Sequence, residues 1–289
     1  MNSAKLFAAL IMLSSLPLLL RAHEGTGRGG HKESPETWEA ELESYFGRHG
    51  YYHFGFGVQT ALGKQHKLGL ITHLAREDSH SDPVSSLGAE YGLQRDGIEL
   101  EAFSFGYFPA GGQHAWAVGL RAAKEFSLAE RLTLSPFLGP TFAHVRAVDE
   151  ATETSVDVSH TMLFGGVIIE VDPIEVIIFG SQSFFSRSTR GLESHVDLEE
   201  MTHLAVYENN DGLACNSLGG EVRWRCHEKL AIATRYAAIF FVGESVRHSV
   251  VFSPVWRITE RLEIFGGVQF LRGGPGNNDI GFGGVSCRF

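Results

Sequence analysis

The chain has 289 residues, a formal net charge of −10, 43% hydrophobic and 20% charged residues, 34 glycines, 21 phenylalanines and 3 cysteines. This much apolar material excludes a disordered tail, and so few cysteines exclude a disulfide-stapled miniprotein. The acidic balance excludes a general phosphate-binding surface, and nucleic acid with it as a partner, because counterion release needs clustered Lys and Arg.

Residues 1–22 read as a secretory signal peptide: Lys5 supplies a positive start, Leu6 to Leu20 is apolar, and Leu20-Arg21-Ala22 suits a signal peptidase. The apolar stretch contains Ser14, Ser15 and Pro17 and is too short for a helix that must cross about 30 Å of hydrocarbon. No later segment reaches the ~20 apolar residues of a spanning helix, so a helical membrane bundle is excluded. Residues 23–50 follow as a polar N-terminal segment. His23 to His31 is a flexible lead rich in Gly and charge. Ser34-Pro35 then places an N-cap residue before a proline at the first helical position, which predicts a short helix through Tyr45.

From Tyr51 to Phe289 the texture changes to period-two segments separated by turn residues, with no linker, so one domain is expected over 51–289. Tyr52–Leu62 and Lys67–Leu74 are the least regular. Further along, Leu218, Gly220, Val222, Trp224 and Cys226 oppose Gly219, Glu221, Arg223 and Arg225. Val250, Phe252, Pro254, Trp256 and Ile258 oppose Val251, Ser253, Val255 and Arg257. Leu262, Ile264, Gly266, Val268 and Phe270 oppose Glu263, Phe265, Gly267 and Gln269. Such alternation sorts side chains into two environments but does not say which is water, since a soluble sandwich and a membrane barrel give the same string.

Lengths decide between them. The segments run about ten residues or more, enough to cross a bilayer at a tilt. Connections alternate between short ones (Arg95-Asp96-Gly97, Ala129-Glu130-Arg131, Asp172-Pro173, His227-Glu228-Lys229, Thr259-Glu260-Arg261) and longer ones (Arg76 to Pro83, Val148 to Thr154, Ser188 to Asn216, Gly273 to Asp279). Short turns on one side and long loops on the other predict an all-β fold, a single antiparallel transmembrane β-barrel with the short side in the periplasm. The candidate segments come out odd in number, whereas such barrels are even. About twelve strands are expected, within roughly ten to fourteen.

The last residues, Gly283, Val285, Cys287 and Phe289, step by two to a terminal aromatic, and hairpins such as Glu260-Arg261-Leu262-Glu263-Ile264 join neighbouring segments tightly. In both respects residues 51–289 resemble Gram-negative outer-membrane β-barrel proteins. That resemblance implies residence in the outer membrane among phospholipid and lipopolysaccharide. It also implies insertion by the barrel assembly machinery, with Phe289 part of the assembly signal.

With the apolar parity facing lipid, the inward set includes Lys67, Glu90, Arg121, Glu221, Arg223, Arg225, Arg235, Arg257, Glu263 and Arg288. Arg121, Glu221, Arg223, Arg225, Arg235, Arg257, Glu263 and Arg288 are the candidate lumen or constriction residues. Unpaired charge in a narrow barrel is costly, which predicts an ion-paired interior. Two outcomes remain: a structural barrel, or a narrow porin-like channel in which the arginines favour anionic solutes.

Two other functions have partial support in the chain. Fourteen histidines, with His73, His80, His195 and His203 on or near outer loops, suggest weak metal binding there, but no HxH, HExxH or CxxC spacing fixes two ligands on one face. An outer-leaflet lipase or deacylase would need a Ser and His held together. Ser186-Arg187-Ser188 lacks a preceding His-x-Ser, and in Ser159-His160-Thr161 adjacent residues face opposite sides. The balance points to a non-enzyme that needs no cofactor.

Overall fold

The structure, a computed structural model, describes residues 38–47, 51–76, 84–109, 115–149, 152, 154–189, 192–193, 214–241, 246–273 and 277–289. The expected signal peptide and polar lead lie outside these residues. Among the described residues there are sixteen β-strands: β1 (Trp38–Phe46), β2 (Tyr52–Leu62), β3 (His66–Arg76), β4 (Val84–Arg95), β5 (Ile98–Pro109), β6 (Ala115–Lys124), β7 (Phe126–Ala129), β8 (Leu132–Asp149), β9 (Thr154–Val171), β10 (Ile174–Phe185), β11 (Leu192–Glu193), β12 (Ala214–His227), β13 (Leu230–Phe241), β14 (Arg247–Thr259), β15 (Leu262–Arg272) and β16 (Asn278–Arg288). Each pairs antiparallel with its neighbours, and β1 pairs with both β2 and β16, so the sheet closes on itself. Strand β7 continues β6 along the edge of β8, and the two-residue β11 only adds to the outer end of β8. The wall is therefore a closed barrel of fourteen strands. Among the described residues there is no helix.

Two expectations are corrected here. The wall has fourteen strands and not about twelve, and it begins at Trp38 and not at Tyr51. The described part of the segment read as a short helix is strand β1. Its sequence carries the period-two signal: Glu39, Glu41, Glu43 and Tyr45 are paired with inward residues, while Ala40, Leu42, Ser44 and Phe46 take the other parity. The Ser34-Pro35 cap was a local cue. Closure is the stronger constraint, because without β1 the edges of β2 and β16 would present unpaired backbone groups to lipid. Strand β1 also removes the odd count. Both irregular early segments, β2 and β3, are full wall strands.

All short connections lie at one end of the barrel, where β1 begins and β16 finishes. They include Gly63-Lys64-Gln65, in which Gly63 has φ +75°, and Asp96-Gly97, in which both residues have positive φ. These left-handed positions suit tight hairpins. The longer connections lie at the other end.

The expected parity holds. Trp224, Val268 and Phe270 are exposed on the outer face, whereas Gln269 is 1% exposed on the inner face. Around the outside, Leu70, Leu87, Leu120, Leu138, Leu163, Leu218 and Ile264 form an apolar belt. Aromatic residues flank it: Trp38, Tyr91, Trp224 and Trp256 toward the short turns, and Phe108, Trp116, Phe142 and Phe184 toward the loops. An apolar band between two aromatic girdles is a lipid-facing surface, so the barrel spans a membrane.

Candidate functional site

The inner wall has two levels. Near the short turns it is charged, and every arginine of the candidate set that reaches it meets a carboxylate. Arg121 bonds Glu101 at 3.2 Å and lies 3.9 Å from Glu99. Glu221 receives Arg235 at 2.6 Å and Arg223 at 3.5 Å, and Arg223 also reaches Glu175 at 3.6 Å. Arg257 bonds Glu263 at 2.8 Å, and Arg288 bonds Glu39 at 3.0 Å. Gln59 donates to the other oxygen of Glu39 at 2.8 Å, and the Thr133 hydroxyl donates to Glu170 at 3.0 Å. Arg225 lies by the turn, 3.8 Å from Asp172, with both side chains largely exposed.

The fold thus brings Glu221, Arg223 and Arg235 together, and Arg257 with Glu263. It holds Arg121 on a different arc of the wall and Arg288 at the β1/β16 seam. The expected ion-paired interior is present. The expected arginine excess is not, because the register also turns Glu39, Glu41, Glu43, Glu99, Glu101, Glu170 and Glu175 inward. Three of these were missed through the helix assignment of β1, although their strict alternation was a usable signal. Glu99 and Glu101 share parity with Phe103, Phe105 and Tyr107, so strand β5 is apolar on both faces and hides its orientation.

The second level, between the charged girdle and the loops, carries most of the buried apolar side chains, with polar ones such as Glu43, His53, Ser249 and Gln269 among them. Phe103, Phe105, Phe137, Met162, Phe164, Phe179 and Ile239 all face inward and are buried. Its building unit is a phenylalanine placed directly across from a glycine on the neighbouring strand. Among the described residues the ring covers the glycine in seven of these cross-strand pairs: Phe105/Gly88, Phe103/Gly119, Phe137/Gly166, Phe164/Gly139, Phe179/Gly219, Phe282/Gly267 and Phe265/Gly284. In each the ring lies over the glycine, so that a Cβ at Gly166 would sit 2.7 Å from Phe137 Cζ and one at Gly139 2.6 Å from Phe164 Cζ. The glycines let the rings lie flat against the wall, where they cover backbone that would otherwise be exposed. Arg121 and Arg235 join the two levels: their guanidinium carbons stand 5.3 Å and 6.0 Å from the ring centroids of Phe137 and Phe179.

The histidines divide by face. His66 and His248 lie on the outer wall and bond the hydroxyls of Tyr91 at 2.6 Å and Tyr236 at 2.8 Å. His73 lies near the loop end of β3 and faces the lumen, its Nδ1 2.8 Å from His53 Nε2. His80, His195 and His203 lie outside the described residues. Among the described residues no three His, Cys, Asp or Glu side chains are grouped to hold a metal. His160 faces inward and stacks on Phe185, with centroids 4.5 Å apart and planes at 15°. Its Nε2 has no hydrogen-bond partner, while neighbouring Ser159 has the opposite parity and its backbone N–H bonds Ser186 Oγ at 3.0 Å. Ser159 and His160 therefore do not form a pair. Phe289 projects outward, 68% exposed, and its N–H donates to the Trp38 carbonyl at 2.8 Å.

No family model matches the chain, and no curated protein matches it. Solved structures do. CymD, a monoaromatic hydrocarbon channel, is similar with a TM-score of 0.51 at 8% identity over 88% of each chain. CdiB from Acinetobacter baumannii is similar with a TM-score of 0.50 at 8% identity over 89% of this chain, which spans 60% of CdiB. OprD from Pseudomonas aeruginosa gives a TM-score of 0.48 at 9% identity over 88% of this chain and 95% of its own. At these identities the likeness concerns the fold, and it agrees with closure, face parity and turn placement: the chain has the architecture of outer-membrane β-barrel proteins.

Proposed function

We propose that this protein is a narrow, porin-like channel for small solutes in the outer membrane, and not an enzyme. The observation that carries the reading is a fourteen-stranded closure whose inner wall is polar at one level and mostly apolar at the next. Eight strands make a barrel that its own side chains fill, and sixteen to eighteen leave an aqueous channel. Fourteen lies toward the open end of that series. The apolar level narrows it: Val145, Val158 and Ile239 are fully covered there, and a hydrophobic constriction opposes ions by dewetting.

The arginines of the charged girdle all meet carboxylates, and the inward carboxylates outnumber them, so anion preference is not part of the proposal. Small solutes of low charge suit the lumen better than inorganic ions. Purified protein in planar bilayers should give small currents with weak ion selectivity, and liposomes carrying it should admit small uncharged solutes. A barrel silent in both assays would leave the structural reading instead, and phospholipid hydrolysis would restore the enzymatic one. Phe289 serves assembly in this reading, so its deletion should lower the yield of inserted, heat-modifiable protein.

A further inference from the structure

Strands β8 and β9 outrun the wall at the loop end. There the outermost β6 pairing joins Ala115 to Val145 and the outermost β10 pairing joins Phe185 to His160, whereas β8 and β9 stay paired with each other as far as Asp149 and Thr154. A two-stranded ribbon standing clear of its sheet should have water on both faces. Its outer face does, since Arg146, Ser155 and Asp157 are exposed. Its inner face does not, because Val145, Ala147 and Val158 are fully buried. Among the described residues Ala147 lies past the last pairing of either neighbouring wall strand, so its cover comes from outside the wall.

The chain that leaves β10 supplies it. The Ser186 N–H donates to the Ser159 carbonyl at 2.9 Å, on the β9 side of the hairpin. Leu192 and Glu193, strand β11, then pair with Asp149 and Val148 on the far edge of β8, the edge that β6 occupies lower down. The chain therefore crosses both strands of the hairpin. From β10 to β11 is three strand spacings, about 14 Å, and the six Cα steps from Ser186 to Leu192 reach at most about 20 Å, which leaves no length for a detour around the hairpin turn. The crossing runs over the inner face, because that face is covered and the outer one is not. Thr189, midway, and Leu192, at the landing point, are both buried, and the Leu192 N–H donates to the Thr189 carbonyl at 3.2 Å. Opposite Asp149, Leu192 shares the face of Ala147 and belongs to the same apolar cluster. Two ladder residues hold little by themselves, so the Leu192 side chain is the anchor.

We propose that the stretch joining β10 to β11 is a fixed strap across the lumen side of the β8–β9 hairpin, and that it narrows the loop-end mouth and sets the largest solute the channel admits. The size limit rests on the channel reading; the path of the strap does not.

The test uses the full-length protein with Cys215, Cys226 and Cys287 replaced by Ser, carrying either Ala147→Cys or Asp157→Cys. A water-soluble maleimide should label Asp157→Cys at least roughly tenfold faster than Ala147→Cys, because a covered thiol reacts only when its cover opens. Leu192→Asp places a charge in the apolar anchor and should speed labelling of Ala147→Cys by about fivefold or more, leaving Asp157→Cys unchanged. In swelling assays, liposomes carrying the parent protein should admit arabinose much faster than raffinose, and Leu192→Asp should raise raffinose entry severalfold. Heat-modifiable mobility on a denaturing gel certifies folding, and Leu192→Ala, expected to act in the same direction, serves if the charged variant does not assemble. Equal labelling of the two cysteines overturns the path of the strap. Labelling of Ala147→Cys that Leu192 variants leave unchanged overturns the anchor, and faster labelling without faster raffinose entry overturns the size limit. Liposomes impermeable to both sugars with parent and variant alike sink the channel reading and the size limit with it, while the maleimide rates still decide the strap.

Discussion

The two levels of the inner wall solve the same problem, filling the inside of a wide barrel, by opposite means. Near the short turns, charge meets charge: Glu221 alone serves Arg235 and Arg223, and Glu39 takes Arg288, Gln59 and Ser286. Toward the loops, rings meet glycines, and polar groups there bond one another in small pairs such as His53 with His73 and Gln269 with Ser249. The lower level is made of strong, geometrically exacting contacts between neighbouring strands, each of which punishes removal of one partner. The upper level is made of shape, and punishes added volume. A solute crossing the barrel would pass from an environment that tolerates water to one that excludes it.

Breaking a charge pair should show the largest effect. Arg235→Gln takes from Glu221, which is 4% exposed, its shortest ion pair and leaves it the 3.5 Å contact with Arg223, and should cost about 3 kcal/mol of unfolding free energy in detergent. Adding Glu221→Gln to it should recover much of that loss, and a double variant as unstable as the single one would refute the pairing as the cause. The outer wall supplies the reference: Val268→Arg puts a charge toward lipid and should cost about 2 to 4 kcal/mol near the midplane, read by urea titration in lipid. Overpacking the upper level comes next. Gly166→Ala drives a Cβ against Phe137 and the Ile178 carbonyl and should cost about 1 to 3 kcal/mol, whereas Gly281→Ala, with nothing within 4 Å, should be near neutral. Equal responses at Gly166 and Gly281 would remove the ring-over-glycine explanation of that level. The smallest effect belongs to Arg257→Gln. Its side chain is 46% exposed, so stability should change by less than about 1 kcal/mol, while the freed Glu263 should move the bilayer reversal potential slightly toward cations.

Much of this was legible in the chain. Period-two alternation is local: a strand places successive side chains on opposite faces whatever its neighbours are, so the inward parity of Arg121, Glu221, Arg223, Arg235 and Glu263 could be read one segment at a time. Turn residues such as Asp96-Gly97 are equally local, and they set the hairpins and the short side. The misreading of β1 shows the limit of that method. Ser34-Pro35 is a good helix start in isolation, and only the need of β16 for a partner decides that Trp38–Phe46 is extended.

Length, composition, alternation and turns by themselves determined a lipid-facing, antiparallel barrel and most of its inward arginines. Tertiary structure alone decided the strand number, because closure is a property of the whole sheet and not of any segment. It alone decided that the arginines are neutralised, since a salt bridge between Arg121 and Glu101 or Arg288 and Glu39 depends on which strands are neighbours and in what register. The same holds for the seven rings lying on glycines. A sequence gives a residue its face; only pairing gives it a partner.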